Sequence, residues 1–435
     1  MRERVSRWPV TLLLLCVVGS FSANIVRAQQ AEETAEADSG EVAALIAAAE
    51  AEEVVDTSVP TLRFYGFMDA GLQRAWGDLF DTGLSQSDAL NFVIGNVNLY
   101  MDIAPSPQWR GLVEVRLTTF PNGTETLNPS TGQFTQHDTT ILDYTSTSGG
   151  FLNVQWGSII LERAHIDWEP RDEIKFRLGY FLTPYGIWNV DHGTPTRIML
   201  TPPIFVSYGL LPERQLGLDL YGTYNFAPWA LEYHLYVSNG RSPSVDYTDD
   251  KALGGRLVLR TRKPFSMQLG ASMFYGKTTS VQKSIGMTNG MLGVVRNTSV
   301  AFEELAGGAD ISIDVGSLRV RSELVLNRTI YEPGKRALFA GVQRANNLTY
   351  DAYLMFAYQL PWLGLEPLIY AEIIHIPTPG IAPDFAGVSA GINAYITSNV
   401  IVRTQAGRAQ SFSNTDSNAR SLGLNYAAFR LVITF

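Results

Sequence analysis

Alternation of apolar and other residues over short segments is the feature that most limits what this chain can fold into. The stretch 421–435, SLGLNYAAFRLVITF, places Phe429, Leu431 and Ile433 on one side, because successive side chains of an extended chain point to opposite faces. The stretch 62–74, LRFYGFMDAGLQR, alternates in the same way. A soluble edge strand with so apolar a face invites aggregation. A closed barrel instead pairs every strand and turns the apolar face to lipid.

The same pattern recurs along the rest of the chain and predicts sixteen strands. An even number of antiparallel strands is typical of single-chain bacterial membrane barrels. We therefore predict an all-β fold, a transmembrane antiparallel β-barrel of about 16 strands (14–18) that occupies residues 61–435. The predicted strands are 62–75, 91–104, 109–120, 156–168, 173–182, 213–224, 229–239, 252–262, 265–276, 307–315, 318–329, 349–360, 363–375, 385–397, 400–408 and 420–435.

The connections between these strands alternate between short and long. A barrel with tight turns at one end and long loops at the other gives this rhythm, whereas a soluble β-sandwich does not. Proline, a turn residue, occurs in five of the seven short connections, which are 105–108, 169–172, 225–228, 263–264, 316–317, 361–362 and 398–399. The long connections are 76–90, 121–155, 183–212, 240–251, 277–306, 330–348, 376–384 and 409–419.

Aromatic residues flank the short connections. Their rings favour a membrane–water interface because one end is apolar and the other is polar. The alternative is that they belong to the core of a soluble sheet, but that does not explain why they gather beside one class of connection. The residues are Trp109, Trp168, Phe226, Trp229, Phe265 and Trp362.

The first 60 residues predict a secretory signal followed by an acidic segment. A basic start with Arg2, Arg4 and Arg7 precedes the apolar run 10–18, which is too short for a membrane-spanning helix and fits a signal peptide cleaved near Ala28. Residues 29–60 are rich in Ala and Glu, with nine acidic residues and no basic one. They predict a periplasmic linker or a short helix, since an isolated short helix is marginal.

Charge and cysteine content narrow the possible functions. The net charge is −9, and no basic region is present, so nucleic acid is not an expected partner. The single cysteine, Cys16, lies in the predicted signal peptide. Disulfides and cysteine catalysis are therefore not expected in the mature chain. After the signal peptide, no apolar run has the length of a membrane helix, which excludes a helical inner-membrane protein.

The end of the chain is similar to the closing strand of bacterial outer-membrane barrels, because alternating apolar residues lead to a terminal aromatic, Phe435. That resemblance implies that Phe435 is part of the signal read by the barrel assembly machinery. It also implies an outer-membrane location in a Gram-negative bacterium, with outer-membrane lipid around the barrel.

A second resemblance is carried by the segment 163–195, RAHIDWEPRDEIKFRLGYFLTPYGIWNVDHGTP. This strand pair about a tight turn, followed by GYF and TPYG, resembles porins of the phosphate-selective O/P type, and ERQLGL at 213–218 opens the next strand in the same style. The resemblance implies a homotrimer of sixteen-stranded pores, each with a loop folded inward.

We identify 183–212 as the candidate for that loop, with Asp191, His192 and Arg197; an outer loop over the rim is the alternative. Phosphate-binding members line the pore with lysine and arginine, and lysines are few here.

If the apolar residues face lipid, the alternate residues face the lumen. These include many charged side chains, and opposed rows of guanidinium and carboxylate orient polar solutes in a pore. Guanidinium groups also suit anionic solutes, although each of these residues could instead pair with a neighbour and only solvate the lumen. The predicted pore-lining residues are Arg110, Arg116, Arg163, Arg177, Arg256, Arg260, Arg319, Arg321, Arg403, Glu114, Asp167 and Glu232.

Catalytic and metal motifs are weak in this sequence. The stretch GVSAG around Ser389 matches the nucleophile-elbow pattern but lies inside an alternating strand rather than at a strand-to-helix turn. The five histidines show no metal-ligand spacing. We therefore expect a porin without a cofactor, which passes small anionic or polar solutes by diffusion. An outer-membrane barrel enzyme and a non-conducting structural or adhesin barrel remain the alternatives.

Overall fold

The computed structural model describes residues 60–77, 89–118, 125–127, 134–136, 158–191, 193, 195–241, 250–288, 291–336, 338–339, 342–377, 383–412 and 421–435. The predicted signal peptide, 1–28, lies outside the described residues, as does the acidic segment 29–60 except for Pro60. Both assignments therefore stay predictions.

Sixteen antiparallel strands form one closed barrel in which each strand pairs with the next along the chain. The number and arrangement of the strands confirm the predicted fold. In chain order, the strands are β1 (Thr61–Trp76), β2 (Asn91–Ser106), β3 (Trp109–Thr118), β4 (Ser158–Arg171), β5 (Ile174–Leu182), β6 (Arg214–Phe226), β7 (Trp229–Ser238), β8 (Ala252–Thr261), β9 (Ser266–Thr288), β10 (Met291–Val315), β11 (Leu318–Tyr331), β12 (Asn347–Tyr358), β13 (Leu365–His375), β14 (Asp384–Thr397), β15 (Val400–Phe412) and β16 (Gly423–Thr434).

The last strand closes the barrel against the first. The β1–β16 register runs from Phe67 opposite Thr434 to Trp76 opposite Asn425. Beyond it, the Gly66 N–H donates to the Phe435 carbonyl at 2.9 Å, and the Phe435 N–H donates to the Gly66 carbonyl at 3.0 Å. Over this length neither strand keeps an unpaired edge.

The two faces of each strand differ in burial, as β11 shows. Its residues Glu323, Val325 and Asn327 are buried, whereas Leu324 and Leu326 between them are exposed. The buried residues face the inside of the barrel and the exposed leucines face outward, because side chains alternate across a strand. The registers carry the same alternation around the barrel, so its outer surface is largely apolar.

Aromatic side chains lie on the outer surface beside the short turns, as predicted. Trp109, Trp168, Phe226, Phe265 and Trp362 are exposed, and Trp229 is half-buried. The Trp109 and Trp168 rings stack across β3 and β4, with centroids 6.2 Å apart. These positions agree with an aromatic band at one end of the barrel.

One predicted connection is wrong. Residues 277–306 were expected to form a long loop, but β9 and β10 continue through most of this range as a paired hairpin. The stretch is rich in threonine and valine and contains an Asn-Gly pair at 289–290. Both features favour strands joined by a tight turn over an irregular loop.

The remaining elements are short. The helix α1 spans Ile204–Ser207, and a 3₁₀ turn spans Pro361–Leu363. Two small hairpins pair Glu125–Leu127 with Phe134–Gln136 and Leu338–Phe339 with Val342–Gln343.

No helix in the described part of the chain is long and apolar enough to span a membrane.

Candidate functional site

The inner wall of the barrel carries the charged residues that the alternation assigned to it. Sheet register places them on seven of the strands. The predicted residues lie on β3 (Arg110, Glu114, Arg116), β4 (Arg163, Asp167), β5 (Arg177), β7 (Glu232), β8 (Arg256, Arg260), β11 (Arg319, Arg321) and β15 (Arg403).

Part of this wall is an ion-pair network between β2, β3 and β4. The Arg163 Nε donates to Glu114 at 2.6 Å, and the Asn98 amide donates to the other oxygen of Glu114 at 2.6 Å. Arg116 pairs with Glu162, also at 2.6 Å. Each carboxylate is thus held by neighbouring strands, which fixes the direction in which its arginine points.

The network continues across β4, β5 and β6. Arg177 donates to both oxygens of Asp167, at 2.9 and 3.0 Å, and the Tyr221 hydroxyl donates to the same carboxylate at 3.2 Å. His165 bonds to Asp167 through Nδ1 at 2.9 Å. Asp167 therefore bonds to several groups at once, and one of them is the ring of His165.

On β7, β8 and β10 the predicted residues pair with one another or with acids that were not predicted. Arg260 pairs with Glu232 at 3.2 Å. Arg256 pairs with Asp310 at 2.8 Å, and both of these side chains are buried.

On β11, Arg319 pairs with Glu366 of β13 at 3.1 Å, and Arg321 forms two hydrogen bonds with Asp314 of β10. Most of the predicted arginines therefore form ion pairs with carboxylates of the wall.

The partners in these pairs are unequally exposed. The Arg163 side chain keeps 25% of its surface exposed, against 1% for Glu114, and Arg319 keeps 28%, against 0% for Glu366. The water-facing surface of the inner wall is therefore richer in guanidinium than in carboxylate. The same inequality holds for Arg110–Asp102, Arg116–Glu162, Arg177–Asp167, Arg214–Glu162, Arg241–Glu304, Arg260–Glu232 and Arg430–Asp69. The carboxylate is the more exposed partner in Arg321–Asp314 and Arg214–Glu213.

The segment 183–212 contacts inward-pointing side chains of strands on several sides of the barrel; we call it the inserted segment. Its Trp188 N–H donates to Glu323 of β11 at 2.8 Å. The Arg403 guanidinium of β15 donates to the Pro195 carbonyl at 3.1 Å. The chain then continues along the inner faces of the strands between β11 and β15.

Further polar contacts fix the second half of the inserted segment. Gln405 of β15 accepts from the Leu200 N–H at 2.7 Å, and Glu372 of β13 accepts from the Ile204 N–H at 2.5 Å. The Asn327 amide of β11 donates to the Leu210 carbonyl at 2.5 Å. These backbone groups of the segment are thus satisfied by side chains of the inner wall, as buried backbone requires.

An apolar cluster joins the inserted segment to the inner wall. The Phe205 ring stacks on Tyr353 with centroids 6.5 Å apart, and both side chains are buried. The inner face is therefore not uniformly polar, contrary to the expectation from alternation. The segment contributes Tyr185, Trp188, Met199, Phe205, Leu210 and Leu211, and the strands contribute Phe181, Tyr236, Phe274, Val325, Tyr353, Met355, Tyr370 and Ile374.

The three residues proposed for an inward loop have different outcomes. Asp191 is exposed, and Arg197 lies over the Trp188 ring at 5.4 Å. His192 lies outside the described residues. Asp191 and Arg197 also line a cavity of about 110 Å³ between the inserted segment and strands β11 and β12.

Positive charge concentrates around Arg197. Burial lowers the pKa of Arg197 to about 10; Asp69 opposes this shift, whereas Arg403, Arg430 and Arg116 add to it. Arg403 itself is buried, and its Nε and Nη1 find no acceptor among the described residues. This part of the interior has more guanidinium than carboxylate and favours an anion.

The structure gives no support to the catalytic motif. Ser389 lies within β14, where its hydroxyl accepts from the Gln405 amide at 2.8 Å. Within the described ranges, no group of three or more His, Cys, Asp or Glu residues is arranged to hold a metal ion.

Sequence reasoning missed the carboxylates and amides that hold the inserted segment, mainly Glu323, Glu372, Asn327 and Gln405. Their inward position was readable from alternation. Their partners were not, because each bonds to a segment more than a hundred residues away in sequence.

Solved structures with the same architecture include several outer-membrane proteins. One is an anion-selective porin from Comamonas acidovorans, with a TM-score of 0.52 and 10% identity over 86% of this chain and 100% of that one. Another is the outer-membrane channel DcaP of Acinetobacter baumannii, with a TM-score of 0.53 and 10% identity over 87% and 98%. The fold is a porin-type barrel.

OmpT, an outer-membrane protein of Vibrio cholerae, is similar to the same extent, with a TM-score of 0.53 and 10% identity over 88% of this chain and 100% of that chain. A trimer form of OmpT is also among the similar structures. No family model and no curated protein sequence matches this chain.

Proposed function

We propose that this protein is an outer-membrane porin of a Gram-negative bacterium, through which small hydrophilic solutes diffuse passively with a preference for anions. The observation that carries the anion preference is the unequal exposure of the lumen ion pairs. In pairs such as Arg163–Glu114 and Arg319–Glu366, the arginine faces water and the carboxylate is buried in the wall. A lumen in which the exposed charges of one sign predominate favours ions of the other sign.

The apolar outer surface and its band of aromatic side chains support a location in the membrane. The similarity to an anion-selective porin and to a channel agrees with this function. We extend the proposal to a homotrimer, since a trimer form is known for OmpT of Vibrio cholerae. Recognition of Phe435 by the barrel assembly machinery and phosphate selectivity stay predictions from resemblance.

Reversal potentials in planar bilayers test this function. With a KCl gradient across the bilayer, we expect stepwise conductance and a reversal potential whose sign shows chloride carrying more current than potassium. Replacing Arg163 and Arg177 by Gln should move the reversal potential toward zero, because both arginines face the water of the lumen. A channel that prefers potassium would overturn the anion preference.

The same experiment addresses the two alternatives. A barrel without stepwise conductance at high protein load would favour a structural or adhesin barrel or a barrel enzyme. The enzyme would also require hydrolytic activity that depends on residues of the inner wall.

A further inference from the structure

The cavity between the inserted segment and the inner wall has a mixed lining. It is lined by Trp188 and Arg197 of the segment, by Arg319 and Arg321 of β11, and by Tyr353 and Met355 of β12, among others. We propose that it binds a small organic carboxylate with an apolar body as that solute passes through the barrel. The proposal rests on the channel function and names the class of solute for which the channel has a site.

The charged part of the lining fits a carboxylate. Arg197, Arg319 and Arg321 bring three guanidinium groups to one cavity, and among the described residues Asp191 is the single carboxylate in the lining. Arg319 and Arg321 already hold acids of the wall, but 28% and 16% of their side-chain surfaces stay exposed. A planar guanidinium pairs with a carboxylate through two parallel hydrogen bonds.

The neighbourhood of Arg197 makes an anion favourable there. Arg403, Arg430 and Arg116 lie within electrostatic range of Arg197. Glu162 pairs with Arg116 and Asp69 with Arg430, whereas Nε and Nη1 of the buried Arg403 have no acceptor among the described residues. The incompletely paired charge of Arg403 is costly in a buried site. A bound anion would lower that cost.

The apolar part of the lining indicates the body of the solute. Ile187, Ile198, Met199 and Met355 line the cavity together with the ring of Trp188. An inorganic anion would gain nothing from these groups, whereas an apolar body would bury its surface against them. The volume, about 110 Å³, is somewhat below the roughly 150 Å³ of an engineered cavity that takes benzene. Because the cavity opens to the lumen, only part of the solute has to lie within this volume, and that part is no larger than one ring or a short branched chain.

The cavity is reachable from the lumen, because Asp191 and Thr196 in its lining are exposed. A solute can enter from this side with its carboxylate facing the arginines. Because the inserted segment supplies much of the lining, the site exists only while that segment is packed against the wall.

Benzoate is a suitable probe for this site, with three matched comparisons. KCl conductance of wild-type channels in planar bilayers is recorded while benzoate, acetate, inorganic phosphate or benzyl alcohol is added. We expect benzoate to reduce the current saturably at concentrations at least about tenfold below the other three, since each of them lacks either the charge or the apolar body. Equal effects of benzoate and phosphate would overturn the site.

Two variants assign the effect to the cavity. Arg197→Gln should raise the half-saturating benzoate concentration about tenfold or more, because one charge-assisted contact is lost. Met355→Trp should abolish the saturable effect by filling the cavity while leaving its charges in place. Arg260→Gln is the control: Arg260 is an exposed lumen arginine outside the cavity lining, so the benzoate effect should persist. The same benzoate response in wild type and both cavity variants would overturn the proposal.

The outcomes distinguish a failure of the channel function from a failure of the binding site. Absence of conductance, or a preference for potassium, would contradict the proposed channel function. Normal anion-preferring conductance without a saturable benzoate effect would leave the function in place and remove only the site.

Discussion

At the scale of single residues, inward carboxylates have two different roles. Glu114 and Asp167 hold arginines that face the lumen, whereas Glu323 and Glu372 accept backbone N–H groups of the inserted segment. Sequence alternation cannot distinguish these roles, because both sets point to the same face. The second set decides where the segment lies.

Glu323 shows what one such carboxylate contributes. It accepts from the Trp188 N–H at 2.8 Å and from the Tyr353 hydroxyl at 2.6 Å, and all three residues are buried. Glu323→Leu leaves two buried donors without an acceptor, and we expect the free energy of unfolding to fall by about 2–5 kcal/mol. Urea unfolding in detergent micelles, followed by tryptophan fluorescence, measures this loss.

Two variants control this measurement. Glu323→Gln keeps an acceptor and should lose less than Glu323→Leu. Glu332→Leu changes an exposed glutamate beside Lys335 and should change stability by less than about 0.5 kcal/mol. Equal midpoints for the leucine variants at 323 and 332 would contradict the assigned role.

At the scale of the strand, the outer face of β11 should respond to charge differently at its middle and at its end. Leu324 and Ile330 both point outward, but Leu324 is near the middle of the strand and Ile330 is near its end. We expect Leu324→Arg to destabilise the protein folded in lipid vesicles by about 2–4 kcal/mol and Ile330→Arg by about 0–1, because the cost of a lipid-facing arginine depends on depth. Urea titration of folding into phosphatidylcholine vesicles measures both, and equal costs would contradict a membrane around this face.

Alternation alone predicted most of the strands and the closure of β16 on β1. The prediction of a polar inner face failed where the inserted segment packs against the wall. Val325 and Phe274 are apolar yet point inward, because the inserted segment supplies their apolar partner. That partner is distant in sequence, so only the three-dimensional arrangement reveals it. The range 277–306 was predicted to be a long connection, although its composition favours a hairpin.

At the same scale, the inserted segment should limit the current. Its buried side chains occupy space that strands β11 to β15 would otherwise leave to water. Replacing residues 187–210 by a short Gly-Ser linker should raise single-channel conductance severalfold, because the barrel wall closes without the segment. An unchanged conductance in planar bilayers, with the barrel still folded, would mean that the segment does not narrow the path.

At the scale of the whole molecule, a row of small side chains interrupts the apolar outer surface. Large apolar side chains such as Leu257 and Met273 cover the outer face of β8 and β9. On β14, β15 and β16, three alanines lie side by side in register: Ala390 opposite Ala406, and Ala406 opposite Ala427. Small side chains allow two surfaces to approach closely in a membrane, so this part of the wall suits contact with a second copy of the chain.

A matched pair of substitutions tests that assignment for the proposed trimer. Ala406→Trp places a large ring in the alanine patch, whereas Ala271→Trp places the same ring on the outer face of β9, where Ala271 is also exposed. We expect Ala406→Trp to shift the detergent-extracted protein from trimer to monomer in analytical ultracentrifugation, and Ala271→Trp to leave the trimer intact. Both variants should still form folded barrels, since a ring pointing into lipid does not disturb the strand ladder. If both variants stay trimeric, or if only Ala271→Trp dissociates, subunits do not meet through β14–β16.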